Sequence, residues 1–500
     1  MNNNRDINFQ STERQKRILP EDSFGDWKWR EALAESMIPL IGALYRDGVN
    51  ILIYGKSLVN ESPVSIMKAH RFARQTDNNE LSELETFPII KYISSLNLCD
   101  CEIDVGEIAV KCPFFDQIKS DDSQLPDFLN KELVSVIDKD SSRPDEPTSI
   151  VLYGFGRIGR LVARMMTQTT GPGNYFRLKA VVIRKASNDD IYKRASLLLR
   201  DSVHGSFDGT VRVDEENSTL VINGNAVKII YANSPDDVKY SDHNIINPLV
   251  IDNTGVWRDY DSLSKHINSG ASNVILTAPA KGDIKNIVYG INDNIVSDED
   301  QIVSAASCTT NAIVPVLKAI NDKYSIEGGH IETVHAYTND QNLIDNFHKG
   351  DRRGRGAPLN MVITTTGAVK AVAKALPELE GKLTGNAIRV PTPNVSLAIL
   401  SLALDTNVTV DEVNSYLQSV AFHSKYREII GYVNSPEVVS TDFYSSSFAS
   451  IIDSQATIVS GKRITLYCWY DNEYGYTKQV INLSKKIDNI NLPRLPLPID

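Results

Sequence analysis

TSIVLYGFGRIGRLVARMM, residues 148–166, decides the fold. TSIVLY (148–153) is a short apolar run of strand length, and in RIGRLVARMM (157–166) the apolar residues fall at 158, 161, 162 and 165, the spacing of a buried helix face. LKAVVIRK (178–185) reads as the next strand, so the stretch opens a β-α-β unit and a parallel sheet. Gly154, Gly156 and Gly159 form G-x-G-x-x-G at the first strand–helix junction. The first glycine permits the tight turn, the second lets a pyrophosphate approach the backbone, and the third lets helix and strand pack closely. With the helix amino end facing negative charge, Gly154, Gly156, Arg157, Ile158 and Gly159 become candidate dinucleotide contacts. NAD binding calls for a carboxylate at the end of the second strand, whereas Arg184 and Lys185 stand there and suit the 2′-phosphate of NADP. Asp189 and Asp190 lie close enough to serve NAD if the loop folds back, so both cofactors stay open.

Outward from this unit the chain changes character. DKDSSRPDEPT (138–148) is charged, proline-bearing and without apolar period, hence a linker. Before it, residues 1–147 hold 17 Lys/Arg and 26 Asp/Glu, a net of −9 out of −11 for all 500 residues. Nucleic acid is an unsuitable partner for so acidic a segment. Leu33, Met37, Leu40, Ile41 and Leu44 make a helical stripe interrupted by Pro39, and Ser62-Pro63 resembles an N-cap with a first-turn proline. The expectation is a mainly helical acidic extension (1–147), a Rossmann-type α/β domain (148–307, completed by 470–500) and an α+β catalytic domain (308–469). LVID (249–252) and NVILTAP (273–279) supply further strands. With a hydrophobic content of 42% and no apolar run near the ~18 residues of a membrane span, nothing marks a membrane protein. MNNNRDINFQSTERQK lacks the apolar core of a secretory signal, which gives the cytoplasm as the expected location. Five scattered cysteines suit a reducing compartment; Cys99, Cys101 and Cys112 cluster without the spacing of a zinc site, so buried thiols and no metal are expected.

One cysteine is placed differently. SAASCTTNAIVPVLKAI (304–320) sets Cys308 among small hydroxyl residues ahead of a helical pattern, where the amino end of a helix favours a thiolate and Thr309, Thr310 and Asn311 can cap. Pro315 must sit near the first turns or bend that helix. ETVHAYTND (332–340) ends an alternating stretch at His335, so a cysteine and a histidine at strand ends beside a dinucleotide fold form a candidate nucleophile and base. HKGDRRGRG (348–356), ITTTGAVKAV (363–372) and IRVPTPNVS (388–396) have the look of anion sites or, for the first, of a solvated turn.

These motifs, with DSVHG (201–205), TAPAK (277–281), SCTTN (307–311), HAYTNDQ (335–341), TTTGA (364–368), RVPTPN (389–394) and WYDNEYGY (469–476), resemble phosphorylating glyceraldehyde-3-phosphate dehydrogenases over about 149–488. A long-chain bacterial subgroup looks similar, including its HKGDRRGRGAPLNMV loop. The resemblance implies a homotetramer using NAD or NADP, glyceraldehyde 3-phosphate and inorganic phosphate. Cys308 would attack the aldehyde with His335 as base; Thr338, Asp340 and Arg389 would hold the substrate phosphate; Ser307, Thr309, Arg353, Thr366 and Gly367 would receive inorganic phosphate. Thr277, Asn472 and Tyr476 would face the cofactor, Asn472 orienting the nicotinamide amide. Erythrose-4-phosphate dehydrogenase, or a regulatory scaffold of the same fold, is the alternative. Three departures from the family pattern stand out: Tyr153 in place of an asparagine, Arg184-Lys185 in place of asparagine-aspartate, and an extension expected to serve as a binding or assembly module for an unknown partner.

Overall fold

A computed structural model describes residues 22–77, 81–112, 124–140, 146–168 and 175–498. The opening stretch 1–16 and the middle of the expected linker, 141–145, lie outside the described residues. Two compact units emerge, Met1–Ser141 with Leu492–Leu497, and Ser142–Asn491 with Pro498–Asp500.

The first unit combines helices α1 (Ser23–Arg46), α2 (Pro63–Asp77), α3 (Glu83–Ile93), α4 (Val105–Lys111) and α5 (Leu125–Glu132) with strands β1 (Val49–Ile53), β2 (Lys56–Ser57) and β3 (Cys101–Asp104). In α1 the face through Ala34, Met37, Ile41 and Leu44 is buried, and the helix runs through Pro39 rather than being interrupted there. That proline is exposed, so its missing donor and ring fall on the solvent side of the helix. Ser62 accepts the Ser65 N–H at 3.1 Å, capping α2. Cys101 and Cys112 are buried and Cys99 half-buried.

Beyond the helices, this unit contains a sheet that the sequence reading missed, ordered β2-β1-β3 and closed by a strand from far along the chain, Arg494–Leu495. That tail strand pairs parallel with β3, Arg494 opposite Glu102 and Leu495 opposite Ile103. Arg494 Nη2 reaches Asp104 Oδ2 at 3.1 Å and Glu107 Oε1 at 3.3 Å, all three residues buried. Asp104 also accepts the N–H groups of Tyr54 (2.9 Å), Gly55 (2.7 Å) and Glu107 (3.1 Å), the last as N-cap of α4. Residues 492–497, expected to complete the dinucleotide domain, therefore belong to the extension: their strand finds its partner on β3 and their arginine finds buried carboxylates.

The second unit begins with β4 (Thr148–Tyr153), α6 (Arg157–Gln168), β5 (Phe176–Ile183) and α7 (Asp190–Leu199), followed by the hairpin β6 (Arg200–Asp201) and β7 (Gly205–Ser206). Next come β8 (Val211–Asp214), β9 (Thr219–Ile222), β10 (Asn225–Tyr231), β11 (Leu249–Asp252), α8 (Tyr260–Asn268), β12 (Asn273–Leu276) and β13 (Ile302–Ser304). Among the described residues they form a sheet ordered β13-β12-β11-β4-β5-β10-β9-β8, parallel from β13 to β10. The order reverses between β4 and β11, the switch point where Rossmann sheets open a crevice at their carboxyl ends. Ile150, Leu152, Val181, Ile229 and Ile251 fill one face together with Val480 and Leu483.

The remainder is α9 (Cys308–Tyr324), β14 (Ile326–Ala336), β15 (Val362–Thr364), α10 (Ala368–Ala375), β16 (Leu383–Val390), β17 (Ser396–Leu404), α11 (Val410–His423), β18 (Ile430–Val433), β19 (Ser450–Asp453), β20 (Ile458–Ser460), β21 (Arg463–Tyr470) and α12 (Tyr474–Ile487). Their largely antiparallel sheet runs β15-β16-β14-β17-β21-β19-β18, with β20 beside β21. Helix α9 lies against β17, β19 and β21, while α12 returns to pack on α6. Thus β14 carries His335 toward the same region in which α9 begins.

Candidate active site

The dinucleotide cradle follows from its three glycines. Gly154 has φ +94°, and a Cβ there would sit 3.0 Å from the Thr254 side chain. At Gly159 a Cβ would come within 2.5 Å of the Gly154 carbonyl oxygen, whereas at Gly156 it would meet nothing within 4 Å. Turn, close packing and an open approach are thus separately built, which fits a pyrophosphate held over the amino end of α6. Arg157 is held by two 2.5 Å hydrogen bonds to Glu473 and lies 3.5 Å from Asp201. Ile158 packs against the core. Thr277, just past β12, donates from its hydroxyl to the Asp252 carbonyl at 3.0 Å at the carboxyl edge of the sheet.

Arg184 and Lys185 follow β5 and are exposed, with Lys185 Nζ 5.4 Å from the Tyr231 ring centre. The two aspartates that could have replaced the missing carboxylate are committed elsewhere. Asp190 is buried, accepts the Ala186 N–H at 3.3 Å and pairs with Arg194 at 3.3 Å. Asp189 accepts from Ser187 Oγ at 2.7 Å and pairs with Lys193 at 2.9 Å.

The cysteine stands at the first residue of α9, preceded by a turn in which Ala306 takes φ +55°. Ser307 is the N-cap, its Oγ accepting from Thr310 N at 3.0 Å, so capping falls to the residue before the cysteine rather than to Thr309, Thr310 or Asn311. The reason is local: Asn311 spends its amide on the Ala305 and Ser307 carbonyls, both at 2.9 Å. Pro315 sits inside the helix. Tyr476 is buried in the core and donates to the Ala306 carbonyl at 3.0 Å, holding the turn that presents Cys308.

Half-buried Cys308 has its Sγ 3.5 Å from His335 Nε2. On the far side of the ring, Nδ1 lies 2.7 Å from the Ala336 carbonyl and 2.7 Å from Arg389 Nη1, which also donates to that carbonyl at 3.0 Å. Tyr470 stands edge-on to the imidazole, and its hydroxyl bridges Thr309 (3.0 Å) and Thr333 (2.6 Å). Burial pushes the thiol up, against the opposing pull of Arg389 and Thr309. Burial first, and the Arg389 charge second, bring the imidazole down to about 3. Both shifts favour the neutral pair, while moving the proton from sulfur to Nε2 leaves its net charge unchanged.

The expected anion-binding residues divide. Thr338 donates to Asp340, and Arg353 pairs with the same carboxylate while reaching Thr364 Oγ1 at 3.3 Å. Burial opposes ionisation of Asp340, but Thr338, Arg353 and Arg389 together hold its carboxyl below the usual value. Thr366 and Gly367 lie at the start of α10, where Thr366 Oγ1 accepts the Ala368 N–H at 3.1 Å. Thr309 departs from the expected open position: it is buried and its hydroxyl is engaged by Tyr470 in the interior. Asn472 is buried, and its Oδ1 accepts from Ser396 Oγ at 2.9 Å. Sequence reasoning passed over Ser396, Tyr470 and Glu473. The first closes IRVPTPNVS and the other two lie in WYDNEYGY, yet without the fold nothing tells which side chains of those motifs turn inward.

A Rossmann sheet whose crevice adjoins a thiol–imidazole pair defines a dinucleotide-dependent oxidoreductase that works through cysteine. Comparison with known proteins narrows the class. Residues 148–260 match the family model described as glyceraldehyde 3-phosphate dehydrogenase, NAD binding domain, and residues 307–472 match that of the glyceraldehyde 3-phosphate dehydrogenase C-terminal domain. The chain belongs to the glyceraldehyde-3-phosphate dehydrogenase family, and so is an NAD(P)-dependent oxidoreductase. A "Glyceraldehyde-3-phosphate dehydrogenase-like protein" of Pseudomonas aeruginosa is 54% identical over 464 residues, covering 92% of this chain and all of its own. Glyceraldehyde-3-phosphate dehydrogenases of Zymomonas mobilis (37% over 340 residues, 68% of this chain, 98% of that protein) and Bacillus subtilis (40% over 338 residues, 67% and 97%) are also similar. The Pseudomonas alignment is longer than everything after the linker, so it takes in much of the extension. These comparisons do not favour the erythrose-4-phosphate alternative.

Proposed function

We propose that the protein catalyses the reversible oxidation of glyceraldehyde 3-phosphate, with inorganic phosphate, to 1,3-bisphosphoglycerate. The observation that carries this reading is Sγ of Cys308 at 3.5 Å from His335 Nε2 at the amino end of α9. In the tautomer that carries its proton on Nδ1, 2.7 Å from the Ala336 carbonyl, the Nε2 lone pair faces the thiol and takes its proton. Sulfur then attacks the aldehyde carbon, and the Cys308 N–H with the imidazolium stabilises the oxyanion, each donor contributing roughly 3 kcal/mol. The nicotinamide, when bound, accepts the hydride. The imidazolium gives its proton to the oxyanion, neutral His335 takes it back from the hydroxyl as the hydride leaves and the thioester forms, and phosphate then displaces the thiolate.

Arg389 links substrate to base. In the arrangement described, its guanidinium lies against His335 and lowers the imidazole's affinity for a proton. A substrate phosphate bound by Arg389, Thr338 and the neighbouring loop offsets that charge, so the base strengthens when the site is filled. Ser307, Thr309, Arg353, Thr366 and Gly367 form the inorganic phosphate site in this reading, with Thr309 rotating outward. The cofactor is NADP, because Arg184 and Lys185 stand beyond β5 while Asp189 and Asp190 are occupied.

The active form is a homotetramer. Support comes from Leu343, Ile344, Phe347, Leu359 and Met361, each at least 74% exposed along one basic, glycine-containing loop. Five free cysteines fit a cytoplasmic location, and among the described residues no helix is long and apolar enough to cross a membrane. The extension, shared with the Pseudomonas relative, is an assembly or binding module.

Purified protein offered glyceraldehyde 3-phosphate and erythrose 4-phosphate, each with and without inorganic phosphate, tests the reading. Phosphate-dependent reduction of the dinucleotide with preference for the three-carbon aldehyde is expected. Turnover that ignores phosphate would refute it.

A further inference from the structure

The tail of the chain reads LPRLPLP, residues 492–498, and no step of the proposed reaction uses it. Leu492, Leu495 and Leu497 each precede a proline, a position that disfavours helical backbone, so the segment is kept near strand geometry by its own sequence. Its contacts are those of a captured strand. Arg494 and Leu495 pair parallel with Glu102 and Ile103 of β3, and the Glu102 N–H donates to the Pro493 carbonyl at 2.9 Å. Leu495 is buried and Arg494 reaches both Asp104 and Glu107, while Leu497 is already exposed.

The pocket that receives the arginine is built without it. Asp104 is held by the N–H groups of Tyr54, Gly55 and Glu107, so its carboxylate stands in place before a cation faces it. Gly55, at φ +79°, leaves room for the guanidinium, since a Cβ there would lie 3.3 Å from Arg494 Nη2. The apolar interior of the extension is likewise its own: Met37, Ile51, Ile66, Ile90, Ile103 and Leu129 are fully buried, and the tail adds Leu495 at the edge of the sheet. An anionic pocket beside a strand edge is how a sheet takes up a peptide, with backbone bonds supplying affinity and the pocket supplying selectivity.

We infer that the extension carries a peptide-binding site, formed by the outer edge of β3 with Asp104, Glu107 and Gly55. Its ligand is an extended strand presenting arginine followed by a buried apolar residue, and the chain's own residues 493–495 occupy it as a separable ligand. The inference rests on the reading of the extension as a binding module and names the class of ligand. Being on the same chain, the tail competes at an effective concentration on the order of millimolar where its tether spans the distance. A strand from another molecule therefore enters when the resident tail is weakened or withdrawn.

Fluorescence anisotropy with a labelled synthetic peptide of residues 491–500 tests the site on the full chain. The receptor is the double variant Arg494→Met/Leu495→Ser, in which the resident tail is disabled and Asp104, Glu107 and Gly55 are kept. The peptide is expected to bind it about tenfold or more tightly than it binds the unaltered protein, whose own tail fills the site. Arg494→Met in the peptide, or Asp104→Asn added to the receptor, should each weaken binding by about tenfold or more, because one side of a buried charge pair is left alone. Should the disabled tail loosen the extension, hydrogen exchange gives a second readout: saturating peptide is expected to return β1 and β3 of the double variant to within about twofold of wild-type rates.

Equal affinity for the unaltered protein and the double variant would overturn the site, as would the absence of both binding and protection in the double variant. Binding that protects β1 and β3 whether or not the peptide carries its arginine would overturn the acidic pocket as the reader of the ligand, while leaving the extension a binding module.

Discussion

Replacing Arg494 by methionine keeps most of the side-chain stem and removes the charge that Asp104 and Glu107 share. Removing one member of a buried ion pair typically costs about 3–5 kcal/mol, because the partner is left uncompensated. Asp104 retains three backbone N–H donors, which places the cost at the lower end, about 3 kcal/mol. If that energy falls on local opening of the extension sheet, amide exchange there accelerates roughly 150-fold, at about 1.4 kcal/mol per factor of ten. Mass-spectrometric hydrogen exchange on the full chain should therefore show the change in β1 and β3, with β14 and β17 at wild-type rates. Adding Asp104→Asn should give much less than the sum of the two single effects, since the two side chains act on each other. Acceleration below about threefold, or equal acceleration across β14 and β17, would refute the idea that this arginine closes the extension.

Other substitutions have outcomes that follow from the same geometry. Gly156→Ala should fold with an unchanged melting temperature, since its Cβ meets nothing within 4 Å, and lose dinucleotide affinity by calorimetry. Gly159→Ala, with a Cβ 2.5 Å from a backbone oxygen, should lose both melting temperature and affinity. Arg184→Asp should lower kcat/KM with NADP by tenfold or more and improve it with NAD, as expected for a 2′-phosphate contact; unchanged ratios would remove Arg184 from cofactor choice. His335→Asn should reduce kcat by roughly 10²–10⁴-fold, while Cys308→Ser should abolish turnover, and retained alkylation-sensitive activity would displace Cys308 as nucleophile.

Much of the body was legible because its signals are local. A strand of strand length, three glycines and a helix with its apolar residues on one face specify the β4–α6 crossover without any distant information. Cys308 and His335 were legible as residue types at element ends, and their 3.5 Å approach is where the fold brings them. What escaped was set by long-range pairing. No local pattern tells that Arg494 will lie against Asp104, or that Ser396 will join Ala336 to Asn472. The cap of α9 was misassigned for a related reason, since Asn311 looks like a cap until the Ala305 carbonyl is known to need its amide. The extension sheet was missed because VNILI and CEID are too short to separate strand from buried helix by periodicity.

The tail strand also bears on how the molecule comes to be made. Translation produces β1 and β3 early but delivers Arg494 only after the whole dehydrogenase body has left the ribosome. Until then, among the described residues, the outer edge of β3 has no neighbour and Asp104 no counter-ion, so the part of the chain synthesised first is among the last to reach its finished form.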